Sequence, residues 1–196
     1  CFIGKVRLPD FLQQQLQPKV GQIIEIPESF ESYSRSQPTF KSLQEELAFR
    51  AMKTKYDHSD GTVVGTHQGA HYFTKGQRKG LAVGGTVEPL FVIDTDVVDN
   101  IIYTGQGKSH PGLYKSVLLV QASEAHWVRP DLAIDLGGSL KVTARIRYRQ
   151  ELETACLYAT SDGLYVAFDS PQLAITEGQF VAWYLGDELV GSGVIS

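Results

Sequence analysis

Two cysteines are the residues of this sequence best suited to covalent chemistry. Cys1 opens the stretch Cys1-Phe2-Ile3-Gly4-Lys5, with Arg7 nearby, and neighbouring cations lower the pKa of a thiol and favour the nucleophilic thiolate. Cys156 has small and apolar neighbours at strand spacing, which is typical of a buried core thiol. The pattern therefore favours Cys1 as a nucleophile, although taken alone a terminal cysteine also fits an arbitrary start of the chain.

The chain begins with Cys rather than Met, which indicates that further sequence precedes it. Two cysteines are too few for a secreted disulfide framework, so we expect a reducing compartment, the cytoplasm. A bridge between Cys1 and Cys156 remains the alternative. No apolar run approaches the ~18 residues that span a bilayer, so a membrane is not an expected partner.

A basic stretch lies near position 145, in a predicted strand Leu140–Tyr148. Side chains of a strand alternate between its faces, so one face would carry only Thr143 and the cations, which are Lys141, Arg145, Arg147 and Arg149. Such a face suits RNA phosphates, and Tyr148 on the opposite face becomes available to stack on a base if the strand end twists. A solvated face balanced by Glu151 and Glu153 fits the same pattern.

Three other stretches could bind ligands. The loop Thr74–Leu81 holds three cations between two glycines, which suits either an anion site or a solvated hairpin loop. Gly105–Ser109 departs from a phosphate loop, because Ile102 stands where the first glycine belongs and Pro111 prevents the following helix. His67 and His71 have no third ligand at zinc-site spacing, so we expect no metal.

The pattern of elements predicts a mainly β protein. Short β-branched and aromatic stretches separated by glycine turns indicate a sandwich or barrel, and a single helix is expected near residues 40–57, capped by Ser42. His110-Pro111-Gly112 breaks any element, so we expect a domain boundary there. The predicted strands are Ile23–Ile26, Thr62–Val64, His71–Thr74, Leu90–Asp94, Asn100–Thr104, Ser116–Gln121, Leu140–Tyr148, Thr154–Ala159, Leu164–Phe168, Phe180–Leu185 and Glu188–Ile195.

Several sequence blocks resemble the tRNA-specific 2-thiouridylase family. They occur in the family's order and cover nearly the whole chain outside Pro27–Asp60, which is longer than the family's usual connection. The blocks are Cys1-Phe2-Ile3-Gly4, the run from Gly65 to Leu81 that contains Gly76-Gln77-Arg78-Lys79-Gly80-Leu81, Arg145-Ile146-Arg147-Tyr148-Arg149-Gln150, Ala174-Ile175-Thr176-Glu177-Gly178-Gln179, and Leu189-Val190-Gly191-Ser192-Gly193-Val194-Ile195.

The resemblance implies both a fold and a set of site residues. The implied fold is a small central β domain with an inserted helix, residues 1–109, followed by a C-terminal antiparallel β-barrel, residues 110–196, resembling those of elongation factors. The family's sulfur-carrier cysteine, which holds a persulfide, corresponds to Cys1. Its tRNA-contacting residues correspond to Arg147, Tyr148 and Gln179.

The implied activity is thiolation of C2 of the wobble uridine of tRNA after ATP-dependent adenylation. Because the family's Ser-Gly-Gly-x-Asp-Ser nucleotide loop is absent, ATP with Mg²⁺ should bind a domain outside this chain, and this chain alone should be inactive. The expected partners are tRNA and a persulfide-donating protein, and neither DNA nor a membrane. The alternatives are a non-catalytic RNA-binding β-barrel module and a structural barrel.

Overall fold

The computed structural model describes residues 18–34 and 38–196. These residues form two compact units, one made of residues 18–34 and 54–113 and the other of residues 38–53 and 114–196. The prediction of a mainly β protein with a closed antiparallel barrel is confirmed. In the part of the chain that is described, no helix is long and apolar enough to cross a membrane.

The first unit is built on a four-stranded mixed sheet with the strand order β2-β1-β4-β3. The central pair, β1 and β4, is parallel, and both outer pairs are antiparallel. Neighbouring residues such as Ile23 and Ile24 are both fully buried because each face of the sheet carries its own apolar cluster. The strands are β1 Gly21–Glu25, β2 Thr62–His67, β3 Leu90–Asp96 and β4 Ile101–Gln106.

The second unit is a closed six-stranded barrel with the strand order β10-β5-β8-β7-β6-β9. All of its pairings are antiparallel. Inward side chains such as Trp183, Leu157 and Val166 are fully buried and fill the interior. The strands are β5 Tyr114–Trp127, β6 Ser139–Arg145, β7 Glu153–Thr160, β8 Gly163–Leu173, β9 Phe180–Leu185 and β10 Glu188–Ile195.

The predicted helix is present as α1, Leu43–Ala51. Ser42 caps it as expected, because its side chain accepts a hydrogen bond from the Glu45 amide. The helix falls in the barrel unit, although the sequence placed it in the first domain. The reason is its buried Leu47, which packs on the outside of the barrel against Val117 and Tyr165.

Three local predictions are wrong. The expected strand His71–Thr74 is replaced by a 3-10 turn, Ala70–Tyr72. The expected strand Leu140–Tyr148 ends at Arg145 because a turn follows. Cys156 is half-buried instead of lying in the core, because in β7 the neighbouring Ala155 and Leu157 take the inward positions.

Candidate functional site

Arg147 and Tyr148 lie in a turn of residues 146–150 that follows β6. Ile146 anchors the start of this turn in the barrel core. Gln150 closes it twice: its backbone amide donates to the Arg147 carbonyl at 3.1 Å, and its side-chain oxygen accepts from the Ile146 amide at 3.2 Å. The turn therefore has a defined geometry that a single strand end would not provide.

The Arg147 guanidinium joins this turn to the end of β8. Its Nη1 donates to the Leu173 carbonyl at 2.9 Å, and its Nη2 donates to the Ala174 carbonyl at 2.8 Å. Partial burial lowers the pKa of Arg147, but a guanidinium in a protein remains charged. Two of its five N–H donors are thus bonded to backbone carbonyls of the described residues.

A second side-chain link holds the same two segments together. Gln150 Nε2 donates to Gln172 Oε1 at 2.6 Å, and Gln172 Nε2 donates to the Ser170 carbonyl at 2.8 Å. Gln172 is buried and lies 22 residues from Gln150, so its role carried no sequence signal. Together with Arg147, these amides fix the turn on the barrel.

Tyr148 is the most exposed aromatic residue near this turn, with 90% of its surface accessible. Its backbone is held by Arg145, whose Nη1 donates to the Tyr148 carbonyl at 3.4 Å. Arg145 is positioned in turn by Tyr184, whose hydroxyl accepts from Nη2 at 2.9 Å. The ring of Tyr148 is thus presented to solvent on an ordered backbone.

Gln179 lies in the loop between β8 and β9, which begins at Ala174. Ala174 has a left-handed backbone with a φ of 52°, and its carbonyl accepts both from Arg147 and from the Thr176 hydroxyl. The Gln179 amide donates to the Thr176 carbonyl, and the Gln179 carbonyl accepts from the Ile195 amide. Its side-chain Oε1 is buried and has no partner in the part of the chain that is described.

The three sequence-predicted contact residues therefore belong to one end of the barrel. Arg147 and Tyr148 share a turn, and the Arg147 side chain reaches the loop that leads to Gln179. The predicted single basic face is wrong beyond Arg145, because the strand ends there. Arg149 is exposed in the turn and forms no ion pair within residues 18–34 and 38–196.

The loop Thr74–Leu81 is ordered by its own side chains and by β3. The Gln77 side chain accepts from the Thr74 backbone amide through Oε1 and donates to the Lys79 carbonyl through Nε2. The Gly76 backbone amide donates to the Val92 carbonyl at 2.8 Å. Lys75 lies 3.5 Å from Asp94, so one of the three cations is used inside the unit. Arg78 and Lys79 are exposed, and the choice between an anion site and a solvated loop stays open.

The segment Gly105–Ser109 does not have the geometry of a phosphate loop. Gly105 belongs to β4, and a side chain there would lie 2.4 Å from the His110 ring, so this backbone faces packed protein. A 3-10 turn at Pro111–Leu113 follows instead of a helix N-terminus. ATP therefore has no candidate site on this segment.

His67 and His71, the pair considered as metal ligands, both lie in the first unit. His67 is buried, and its Nδ1 accepts from the Gly69 amide at 2.9 Å. Burial lowers its pKa, which favours the neutral ring. No group of three potential metal ligands occurs among the residues that the structure describes.

Cys1, the predicted sulfur carrier, lies outside the described residues. The sequence argument for its role therefore rests on its motif and on the relationship of the chain to known proteins.

Matches to two protein-family models define the class of this chain. Residues 118–195 match the model described as an aminomethyltransferase beta-barrel domain, and residues 42–106 match a tRNA methyl transferase PRC-barrel domain. The first match falls within the barrel unit found in the structure, which also contains residues 38–53. The chain is therefore of the class that joins these two β domains.

Curated relatives then give the family. The chain is 63% identical to the tRNA-specific 2-thiouridylase MnmA of Christiangramia forsetii and 60% identical to that of Flavobacterium johnsoniae, over all of this chain and 50% of each relative. It is 44% identical to the same enzyme of Karelsulcia muelleri, over all of this chain and 48% of the relative. The chain belongs to the tRNA-specific 2-thiouridylase family, and it spans about half the length of these relatives.

Proposed function

We propose that this chain is the part of a tRNA-specific 2-thiouridylase that docks tRNA and carries the sulfur. The relatives' name supports the enzyme class, and the barrel end with Arg147, Tyr148 and Gln179 supports the docking role. Docking tRNA requires phosphate contacts and base stacking more than a sequence code. The full-length enzyme acts in the cytoplasm.

The observation that carries the docking role is the geometry of the turn 146–150. It holds an exposed tyrosine ring beside a guanidinium, on a backbone fixed by the Gln150 and Arg147 hydrogen bonds. An aromatic ring at 90% exposure gains nothing from the barrel core, and a ring beside a cation suits an unpaired base, which supports a contact outside the chain. Gln179, whose buried Oε1 lacks a partner among the described residues, lies at the same end of the barrel.

Cys1 is the sulfur carrier in this proposal. A donor protein bearing a persulfide transfers its outer sulfur to the Cys1 thiolate, and its own cysteine leaves as a thiolate. The outer sulfur of the Cys1 persulfide then attacks C2 of the adenylated wobble uridine, and AMP leaves. A thiolate from a second cysteine, in the part of the enzyme outside this chain, breaks the S–S bond at Cys1, which leaves the sulfur on C2 and a disulfide between the two cysteines. Adenylation of the uridine with ATP and Mg²⁺ belongs to the part of the enzyme outside this chain.

The docking role is tested by Arg147→Ala and Arg147→Lys in the full-length protein, with tRNA affinity measured at several salt concentrations. Removing one phosphate-contacting cation should weaken binding and lower the slope of log K against log salt by about one unit. Arg147→Lys keeps the charge and should restore the slope, although a lysine cannot reach both carbonyls as a fork does.

Arg129→Ala is the matched control, because Arg129 pairs with Asp131 and Glu188 at the opposite end of β10 from the turn. It should leave both affinity and slope unchanged. An Arg147→Ala protein that binds tRNA as Arg129→Ala does would refute the docking role. If Arg147→Ala loses tRNA binding but the parent protein forms no 2-thiouridine, the result would instead favour a non-catalytic RNA-binding module.

A further inference from the structure

Phe180 is an exposed aromatic residue that the barrel does not use. It opens β9, where Val181 and Trp183 point inward and are fully buried. Phe180 therefore lies on the outer face with Ala182 and Tyr184, and 64% of its surface is accessible. No aromatic partner of Phe180 occurs in the described part of the chain.

The strand register places Phe180 beside the turn 146–150. Arg145, the last residue of β6, is opposite Ala182 in β9. Along β9, Phe180 lies on the same face as Ala182 and about 6.7 Å from it. It is displaced toward the end of β6 at which the turn begins. Phe180 also follows Gln179 directly in the chain.

The charges around Phe180 suit a polyanion. Arg145, Arg147 and Arg149 occur within five residues, and Glu177 is the one acidic residue in the facing loop 174–179. Tyr184 and the Tyr148 carbonyl hold the Arg145 guanidinium, so the outer face between the two exposed rings is ordered. Aromatic rings beside arginines are the groups that unpaired bases and their phosphates recognise.

We propose that Phe180 stacks on an unpaired base of bound tRNA and extends the contact surface of Arg147, Tyr148 and Gln179. This inference rests on the proposed docking role. RNA is the occupant because the ring is continuous with that surface and lies among cations. An apolar protein partner would not need the three arginines.

The test uses Phe180→Ala, Phe180→Leu and Phe180→Trp in the full-length protein, with Kd for tRNA measured over a range of salt. Stacking contributes about 1–3 kcal/mol per base, so Phe180→Ala should weaken binding about 5- to 150-fold. The salt slope should not change, because no charge is removed. Phe180→Leu keeps an apolar side chain without a π face and should lose most of the same affinity, whereas Phe180→Trp should retain it.

Leu136→Ala is the matched control, since Leu136 is 75% exposed and precedes β6 at the end of that strand away from the turn. It should leave Kd unchanged. If Phe180→Ala matches Leu136→Ala while Arg147→Ala still weakens binding, the stacking proposal fails and the docking role stands. If Phe180→Leu binds as tightly as the parent, the ring contributes only apolar bulk and the proposal also fails.

Discussion

Arg147 links two segments of the barrel, and it also carries the charge that we propose for contact with tRNA. Its guanidinium links the turn 146–150 to the carbonyls of Leu173 and Ala174 and keeps its positive charge. Hydrogen bonds from a charged donor contribute about 1.5–3 kcal/mol when protected from water, and less at an exposed side chain. The same residue therefore fixes the loops and offers the charge, so the Ala and Lys variants together separate position from charge.

At Cys1 the prediction concerns chemistry. Changing Cys1 to Ser in the full-length protein should abolish 2-thiouridine formation, because a hydroxyl cannot accept sulfur from a persulfide under these conditions. ATP turnover and tRNA affinity should persist, since neither depends on the thiol. Mass spectrometry of the tRNA nucleosides provides the measurement, and Cys156→Ser is the matched control. Continued thiolation by the Cys1→Ser protein would rule out the sulfur-carrier role.

The sequence predicted a set of contact residues but not their arrangement. Arg147, Tyr148 and Gln179 were identified by resemblance to the family, and the structure brings them to one end of the barrel. Strand alternation put Tyr148 on the face opposite the cations, whereas Tyr148 lies in a turn and is exposed because β6 ends at Arg145. The end of the strand depends on Gln150 and Gln172, whose contact is a tertiary one that no local pattern encodes.

Among the elements, α1 shows what local sequence can and cannot specify. The apolar spacing and the Ser42 cap predicted the helix, because both are determined within a few residues. Its docking surface was not predicted, since it lies on the outside of β5 and β8. β5 has consecutive buried residues, Val117 and Leu118, because the helix covers its outer face while the barrel covers its inner face.

If α1 belongs to the barrel, Leu47→Ala should destabilise the barrel unit. Leu47 is 1% exposed and packs on Val117 and Tyr165, and removing a buried leucine side chain costs about 2–5 kcal/mol. Leu43→Ala is the control on the same helix, because Leu43 is 51% exposed and should change the free energy of unfolding by less than about 0.5 kcal/mol. Urea unfolding followed by fluorescence of Trp127 and Trp183, both in the barrel, measures the change. If the two variants changed the free energy of unfolding equally, the result would contradict the packing of α1 on the barrel.

On the scale of the whole molecule, the net charge gives little information about the interface. The formal charge is −4, which by itself argues against binding a polyanion. Three arginines within five residues nevertheless produce a local basic surface at one barrel end, and local potential governs contact with phosphates. The overall fold class followed from strand and turn patterns, whereas the assignment of segments to the two units required the packing of Leu47.

The two units should also respond differently to acid. His67 and His110 are both buried in the first unit, and burial lowers the pKa of each ring below its usual range. Each Nδ1 accepts a backbone amide hydrogen, from Gly69 and Gly112 respectively, and a protonated ring could not accept it. In the unfolded chain these histidines take up protons near pH 6.5, while the folded unit still excludes them. The unfolded state therefore binds more protons, and the stability of the first unit should fall as the pH drops below about 6.5, by up to about 1.4 kcal/mol per pH unit for each histidine.

Chemical unfolding of the first unit at a series of pH values between 7.5 and 5 measures this slope. His67→Gln and His110→Gln should each lower stability at neutral pH but remove part of the acid-dependent slope, because the titrating group is gone. His126→Gln, which alters an exposed histidine of the barrel, should leave the slope of the first unit unchanged. A slope that is identical in the parent and in both buried-histidine variants would show that other groups cause the acid sensitivity.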